Sequence, residues 1–435
     1  MSLAALAARL RARELSPREA VEDYLARIEA RRELNAYVTV RAEEALAEAE
    51  GPQSAPLHGA PVAVKDVIDV AGTPMTAASA ILRDNVAERD AEVVARLRRA
   101  GAILLGTLNL HEFAFGALTT SPHFGPARNP WAPDRVCGGS SGGSGAAAAA
   151  GLAAGTLGTD TAGSIRIPAC LCGVTGLRPT TGLVPTRGVF PVAWTFDTVG
   201  PVARSAEDCA LLLDAIAGTR TDLAGGVEGL RVGVVEALLA RARPEVAAAA
   251  EAAIAELGRL GARVERAEVP LLEEAGTIQQ LQMLPEAANA HLRFLRTRLA
   301  EYGPDVRARL LAGLLLPPTA YVSGRRLRRR YRAGVDGVFE RFDLLAAPAM
   351  PVVAPRIGEE TVELGGEAVP YRLALIPFNS PWSLAGLPAA SLPCGFVDGL
   401  PAGLALVGRR YADAVVLRAA HAYQRATDWH ARRPA

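Results

Sequence analysis

Apolar residues recur at three- and four-residue intervals through residues 3–32, the spacing of amphipathic helix, and Ser16-Pro17 reads as an N-cap followed by a first-turn proline. The run Gly59-Ala-Pro-Val-Ala-Val-Lys65-Asp-Val-Ile-Asp-Val reads as a buried strand that carries a lysine. A helix over about 90–100 then leads to a short apolar strand at 102–105, which suggests an α/β unit. The pattern repeats over 230–270, with strand VGVV, an Ala-rich helix behind Pro244 and strand ARVERAEV. Residues 275–340 read as mainly helical. Apolar, proline-containing segments of strand character return at 344–353 and 389–407, and a last helix covers about 412–427. No linker-like break and no repeat period interrupts the chain. The pattern predicts an α/β fold in one large domain, 1–435, with 275–340 as a helical cap or insertion.

Residues 141–159 contain no charge and are about long enough to cross a bilayer. They are built of Gly, Ala, Ser and Thr with leucine only at 152 and 157, so a tightly packed internal helix is expected instead. Half of the 435 residues are hydrophobic and a fifth are charged, an ordinary globular balance. A net charge of +1 removes any general electrostatic case for nucleic acid or an anionic membrane. Five scattered cysteines do not form a disulfide framework, and the arginine-studded start lacks a secretory signal pattern; both point to the cytoplasm.

Counting the bases separately changes the picture. Of 47 basic residues one is lysine, Lys65, and 46 are arginine. Coding bias would explain this blandly. The sharper reading is that arginine cannot serve at 65, because a guanidinium keeps its proton whereas a desolvated ammonium can lose it and act as a base.

Two glycine-rich motifs stand out, Gly138-Gly-Ser140-Ser141-Gly-Gly-Ser144 and Gly158-Thr-Asp160-Thr-Ala-Gly163-Ser164-Ile-Arg166-Ile-Pro168. A flexible linker does not fit, since an Ala-rich helical stretch follows the first at once. A phosphate loop fails without the Gly-Lys-Ser/Thr ending, and a nucleophile elbow fails because Ser164 lacks the second glycine.

VAVKD, GGSSGGS and GTDTAGSIRIPA together resemble the amidase-signature family. LHGAPVAVKDVIDVAG, GTLNLHEFAFG, DTVGPVARSAEDCALLLDAIAG and SLAGLPAASLPCGF also follow family order. The resemblance implies a central mixed β-sheet flanked by helices, with the catalytic core at about 57–218. It further implies a Ser–Ser–Lys triad: Lys65 as base, Ser140 as relay through a cis peptide, Ser164 as nucleophile. The N–H groups of Thr161, Ala162, Gly163 and Ser164 would form the oxyanion hole. Asp160 and Arg166 would brace the loop and Ser141 would assist positioning. No cofactor and no metal is implied; the partner is a small amide, and self-association stays open.

The residue chemistry agrees. None of the six histidines lies in either motif, and His111 and His123 are expected to be structural. Lowering a lysine from ~10.4 to ~7–8 costs roughly 4 kcal/mol, which burial among Val62, Val64 and Val67 could supply. One hydroxyl, that of Ser140, can accept from Ser164 while donating to Lys65. Glycines 142, 143 and 163 are expected to let backbone approach the reacting carbonyl.

The chain departs from the commonest family pattern at Ala162, at Cys137, and in MTAAS at 75–79. Cys137 is expected to be a buried apolar residue, and Cys170-x-Cys172 lacks the second pair a metal site needs. The basic run 325–332 is expected to be a solvated helix face. Phe190, Trp194, Phe196 and Trp382 are candidate pocket walls. The leading expectation is a stand-alone amide hydrolase. One alternative is the glutaminase component of a glutamyl-tRNA amidotransferase, against which Ile376 falls where that component carries an acidic residue. The other is a catalytically silent scaffold.

Overall fold

The computed structural model describes residues 1–51 and 55–435. Alternating and fully apolar runs form strands β1 (Tyr37–Val40), β2 (Pro61–Lys65), β3 (Ile103–Leu108), β4 (Gly155–Asp160), β5 (Thr175–Arg178) and β6 (Thr198–Ala203). Further along are β7 (Arg231–Val234), β8 (Arg263–Arg266), β9 (Leu344–Pro348), β10 (Ala389–Val397) and β11 (Leu400–Gly408). These eleven join in one sheet of order β1-β3-β2-β4-β6-β5-β10-β11-β9-β7-β8. The sheet is mixed: β3-β2-β4 and β9-β7-β8 run parallel, and the other neighbours are antiparallel. Most central strands are buried along their whole length, as expected where helices cover both faces. The α/β class with a large mixed sheet is therefore as expected.

Local chemistry sets several boundaries. The first helical stretch divides into Leu3–Arg11 and Pro17–Ala30, with Arg13 at φ 58° between them. Ser16 caps the second helix in a capping box with Glu19: Ser16 N–H donates to Glu19 at 2.8 Å and Glu19 N–H to Ser16 Oγ at 3.2 Å. The uncharged segment 141–159 is helical only over Gly142–Ala150; Gly151, at φ 69°, ends that helix and the chain continues as β4. The expectation of one internal helix is thus half corrected. The strand-like stretch 389–407 is a hairpin, turned by Asp398 and Gly399 at φ 53° and 75°.

Helix Ala275–Ala290 packs on both Pro304–Leu315 and Pro318–Arg341, and it and Pro318–Arg341 also pack on helix Tyr371–Ala385. On Pro318–Arg341 the basic run is divided. Arg325, Arg326, Arg329 and Arg330 face solvent, whereas Arg328 and Arg332 reach back to the carbonyls of Leu384 and Ala385 at 2.9 and 3.0 Å. No helix among the described residues is long and apolar enough to cross a membrane.

Candidate active site

Lys65 ends β2, fully buried. Its Nζ lies 2.7 Å from Ser140 Oγ and 2.8 Å from Thr159 Oγ1 near the end of β4. Val62, Val64 and Val67 surround that segment without solvent contact. Burial pushes the ammonium down to about 7, against the opposing pull of the Asp160 and Asp197 charges.

The first glycine-rich motif is held from several sides. The Gly139-Ser140 peptide is cis. Ser140 is buried and its carbonyl accepts from His111 N–H at 3.0 Å. Ser141 N–H donates to the Ser164 carbonyl at 3.1 Å, which joins the two motifs directly. The Ser141 hydroxyl donates to the Thr159 carbonyl at 3.1 Å and accepts from the Thr159 N–H at 3.3 Å. The glycines serve packing here rather than approach to a ligand. A Cβ on Gly143 would lie 2.5 Å from backbone atoms of Ala36 and Asn109, and one on Gly142 would strike Thr119. At Gly163, φ is +120° and a Cβ would lie 2.7 Å from Asn379, so only glycine fits.

The second motif is built around Asp160. Its carboxylate receives Arg166 Nε and Nη2, both at 3.0 Å, Arg178 Nη1 at 3.0 Å and Gly163 N–H at 2.8 Å. Burial alone would raise the carboxyl, but the two guanidinium charges hold it well below the usual carboxylate range. Arg166 continues outward to the Asn379 carbonyl at 3.1 Å and Ser383 Oγ at 2.7 Å, which ties the loop to helix Tyr371–Ala385. Because Gly163 N–H is spent on Asp160, it is turned away from any ligand. The N–H groups of Ala162 and Ser164 have no acceptor among the described residues.

Thr161 is fixed twice over. Its hydroxyl donates to Asp197 at 2.6 Å, and its carbonyl accepts from Gln279 Nε2 at 2.9 Å. Burial pushes Asp197 up to about 6. Arg178, Asp197 and Gln279 carry no signal in the sequence that marks them for the site, and Thr159, though inside the second motif, has no expected role there. Each lies 18 to 118 residues from the partner it holds, apart from any shared motif.

Ser164 is partly exposed and lines a cavity of about 80 Å³ with Gly139, Thr161, Ala162 and Ile376. The aromatic residue of its wall is Phe115; Phe190, Trp194, Phe196 and Trp382 do not line it. Trp382 and Phe196 are core residues, Phe190 stacks near Phe113 and His291, and Trp194 is 52% exposed. Aromatic side chains carry so much apolar area that packing claimed three of the four. His111 Nε2 contacts Asp305 at 2.9 Å, and His123 lies 3.3 Å from Glu112. Cys137, Cys170 and Cys172 are buried, and burial raises the Cys137 thiol. MTAAS does not line the cavity either; Ala77 and Ala78 both take φ 50° there.

A chain with these parts has close counterparts. It is 40% identical to a component of the glutamyl-tRNA(Gln) amidotransferase of Moorella thermoacetica, over 98% of this chain and 96% of that one. Among solved structures, one described as an amidase superposes with a TM-score of 0.93 at 35% identity, covering 98% of this chain and all of the other. Another, from a vestigial protein complex tied to the origins of an s-triazine catabolic enzyme, gives 0.93 at 37% identity and 98% coverage of both chains. The Amidase family model matches residues 19–417. The chain belongs to the amidase-signature family and is a hydrolase acting on carbon–nitrogen amide bonds.

Proposed function

We propose that the protein cleaves a small carboxylic amide to an acid and ammonia or an amine through an acyl-Ser164 ester. Lys65 is the base and Ser140 the relay. The observation that carries this reading is a buried lysine close to neutrality, hydrogen-bonded at 2.7 Å to the serine that adjoins the Ser164 segment. Ser164 Oγ attacks the amide carbon as its proton passes through Ser140 to Lys65 Nζ. The tetrahedral oxyanion is met by the N–H groups of Ala162 and Ser164, with Thr161 N–H as a further donor. The same proton returns to the leaving nitrogen, and water then hydrolyses the ester by the reverse relay.

Asp160, Arg166 and Ser141 keep supporting roles in this scheme, and Gln279 joins them. The C=O and N–H of one planar peptide point opposite ways, so the bond from Gln279 to the Thr161 carbonyl sets the direction of the Ala162 N–H. Gln279→Leu is expected to lower kcat about ten- to a hundredfold with a smaller change in KM. Affinity for a transition-state-like aldehyde should fall in parallel with kcat, and affinity for the product acid should not.

The first experiment is labelling with a fluorophosphonate probe and peptide mapping. Label on Ser164 that vanishes in Lys65→Ala supports the assignment; no label on the native chain would sink it. In turnover, kcat/KM should rise with pH through about 7, as the Lys65 ammonium gives up its proton, and then level off. A profile flat across pH 6–8 contradicts a lysine base.

A second reading, a glutaminase working with partner chains, is favoured by the identity with the Moorella protein. It is opposed by Ile376, an apolar side chain in the cavity wall. Glutamine turnover comparable to that of simple amides would decide for it.

A further inference from the structure

The cavity at Ser164 has an unbalanced charge. Two guanidinium groups, of Arg309 and Arg372, line it, and among the described residues no carboxylate does. Arg309, on helix Pro304–Leu315, is nearly buried and already engaged. Its Nη2 meets Asp305 at 2.6 Å, its Nε meets the Asp305 carbonyl at 3.1 Å, and its guanidinium lies 4.6 Å from the centre of the Phe115 ring. Burial and the positive charge of Arg372 together push Arg309 down to about 10.

Arg372 stands in the first turn of helix Tyr371–Ala385, an exposed residue that lines the cavity. It has no hydrogen-bond or ion-pair partner among the described residues. The carboxylate whose charge reaches it, Asp305, is already shared by Arg309 and by His111 Nε2 at 2.9 Å. Glu112, the other acid near Arg309, is taken up by Ser79 at 2.6 Å and Gly303 N–H at 2.8 Å. Asp305 therefore balances Arg309, and the charge of Arg372 is left over. One helical turn further on, Ile376 presents an apolar side chain to the same cavity.

We infer that the substrate is a short-chain amide acid, carrying a carboxylate that Arg372 receives and no ammonium group. The inference rests on Ser164 being the nucleophile of this cavity. A carboxylate supplies the missing counter-charge and matches the guanidinium fork. An ammonium would meet two like charges and the apolar Ile376, with no carboxylate among the described lining residues to balance it. A cavity of about 80 Å³ suits a short chain between carboxylate and amide.

The test compares malonamate, succinamate and glutaramate with neutral amides of equal length such as butyramide. Native enzyme is expected to favour the best acid over its neutral counterpart by at least tenfold in kcat/KM. Arg372→Met should cut that preference tenfold or more, and Arg372→Glu should turn it toward 4-aminobutanamide. Binding of the product dicarboxylate is followed separately by calorimetry on the native enzyme and on Arg372→Met. A loss of affinity of tenfold or more supports the inference even where turnover is slow. Equal preference for acid and neutral amides in the native enzyme overturns it, as does dicarboxylate binding that is absent or indifferent to Arg372. Fluorophosphonate labelling of Ser164 in each variant keeps the two readings apart, since a failed nucleophile loses label and a wrong substrate class does not.

Discussion

Lys65→Met is expected to reduce kcat by about a thousandfold or more, within the range that loss of general base catalysis covers, while the protein still folds. Methionine fills nearly the same volume without a charge or a proton-accepting nitrogen. Lys65→Arg should lose as much activity, for a different reason: the charge is kept, but guanidinium cannot act as a base near neutral pH. The two variants part in stability. Lys65 is lowered to about 7 in the folded chain and returns to its ordinary range when unfolded. Between those values the unfolded state binds the extra proton, so native stability rises with pH across that window. Below about 7 the folded chain carries a buried ammonium at a cost of up to about 4 kcal/mol. Lys65→Met relieves that cost and Lys65→Arg makes it permanent. Melting curves at pH 6 and pH 9 should therefore show the methionine variant gaining most at the lower pH, and the arginine variant destabilised at both. Full turnover in either variant excludes lysine as base.

Asp160→Asn is expected to cost about 3–5 kcal/mol of stability, the penalty for breaking a buried ion cluster from one side. Arg166 and Arg178 are both buried against this single carboxylate. Asparagine keeps the shape but removes the charge, leaving two guanidinium groups in the interior with their mutual repulsion unopposed. A loss of that size is a large share of the roughly 5–15 kcal/mol by which domains are stable, and urea unfolding should show it plainly. Labelling of Ser164 should slow as well, because Asp160 also holds the Gly163 and Ile165 N–H groups at 2.8 and 3.2 Å. The sign of the pH dependence follows from the lowered carboxyl. Its contribution is complete above the ordinary aspartate range near pH 4 and is lost only as pH falls through the depressed value. An Asp160→Asn protein as stable as the native one would show that the two arginines find other partners.

The sequence by itself determined the class of fold and the family, and it named the positions proposed to carry the chemistry. Those signals are local: apolar runs of strand length, the Ser16 cap, two glycine-rich motifs with fixed spacing, and a solitary lysine among 46 arginines. The tertiary structure decided what each residue meets. That Lys65 has Thr159 as a second partner follows from β2 and β4 running side by side, and their pairing is written in no single segment. Gly163 sits in the expected loop, yet its N–H turns inward because Asp160 lies beneath it. The aromatic side chains were legible as apolar but not as core or wall, since either use satisfies the same pattern. Arg372 was one arginine among many until folding set it beside a cavity whose nearby acid, Asp305, is shared by Arg309 and His111. Local spacing fixes backbone conformation and the face a side chain takes. Charge balance and hydrogen-bond partners arise between segments that are distant along the chain, and only packing brings those together.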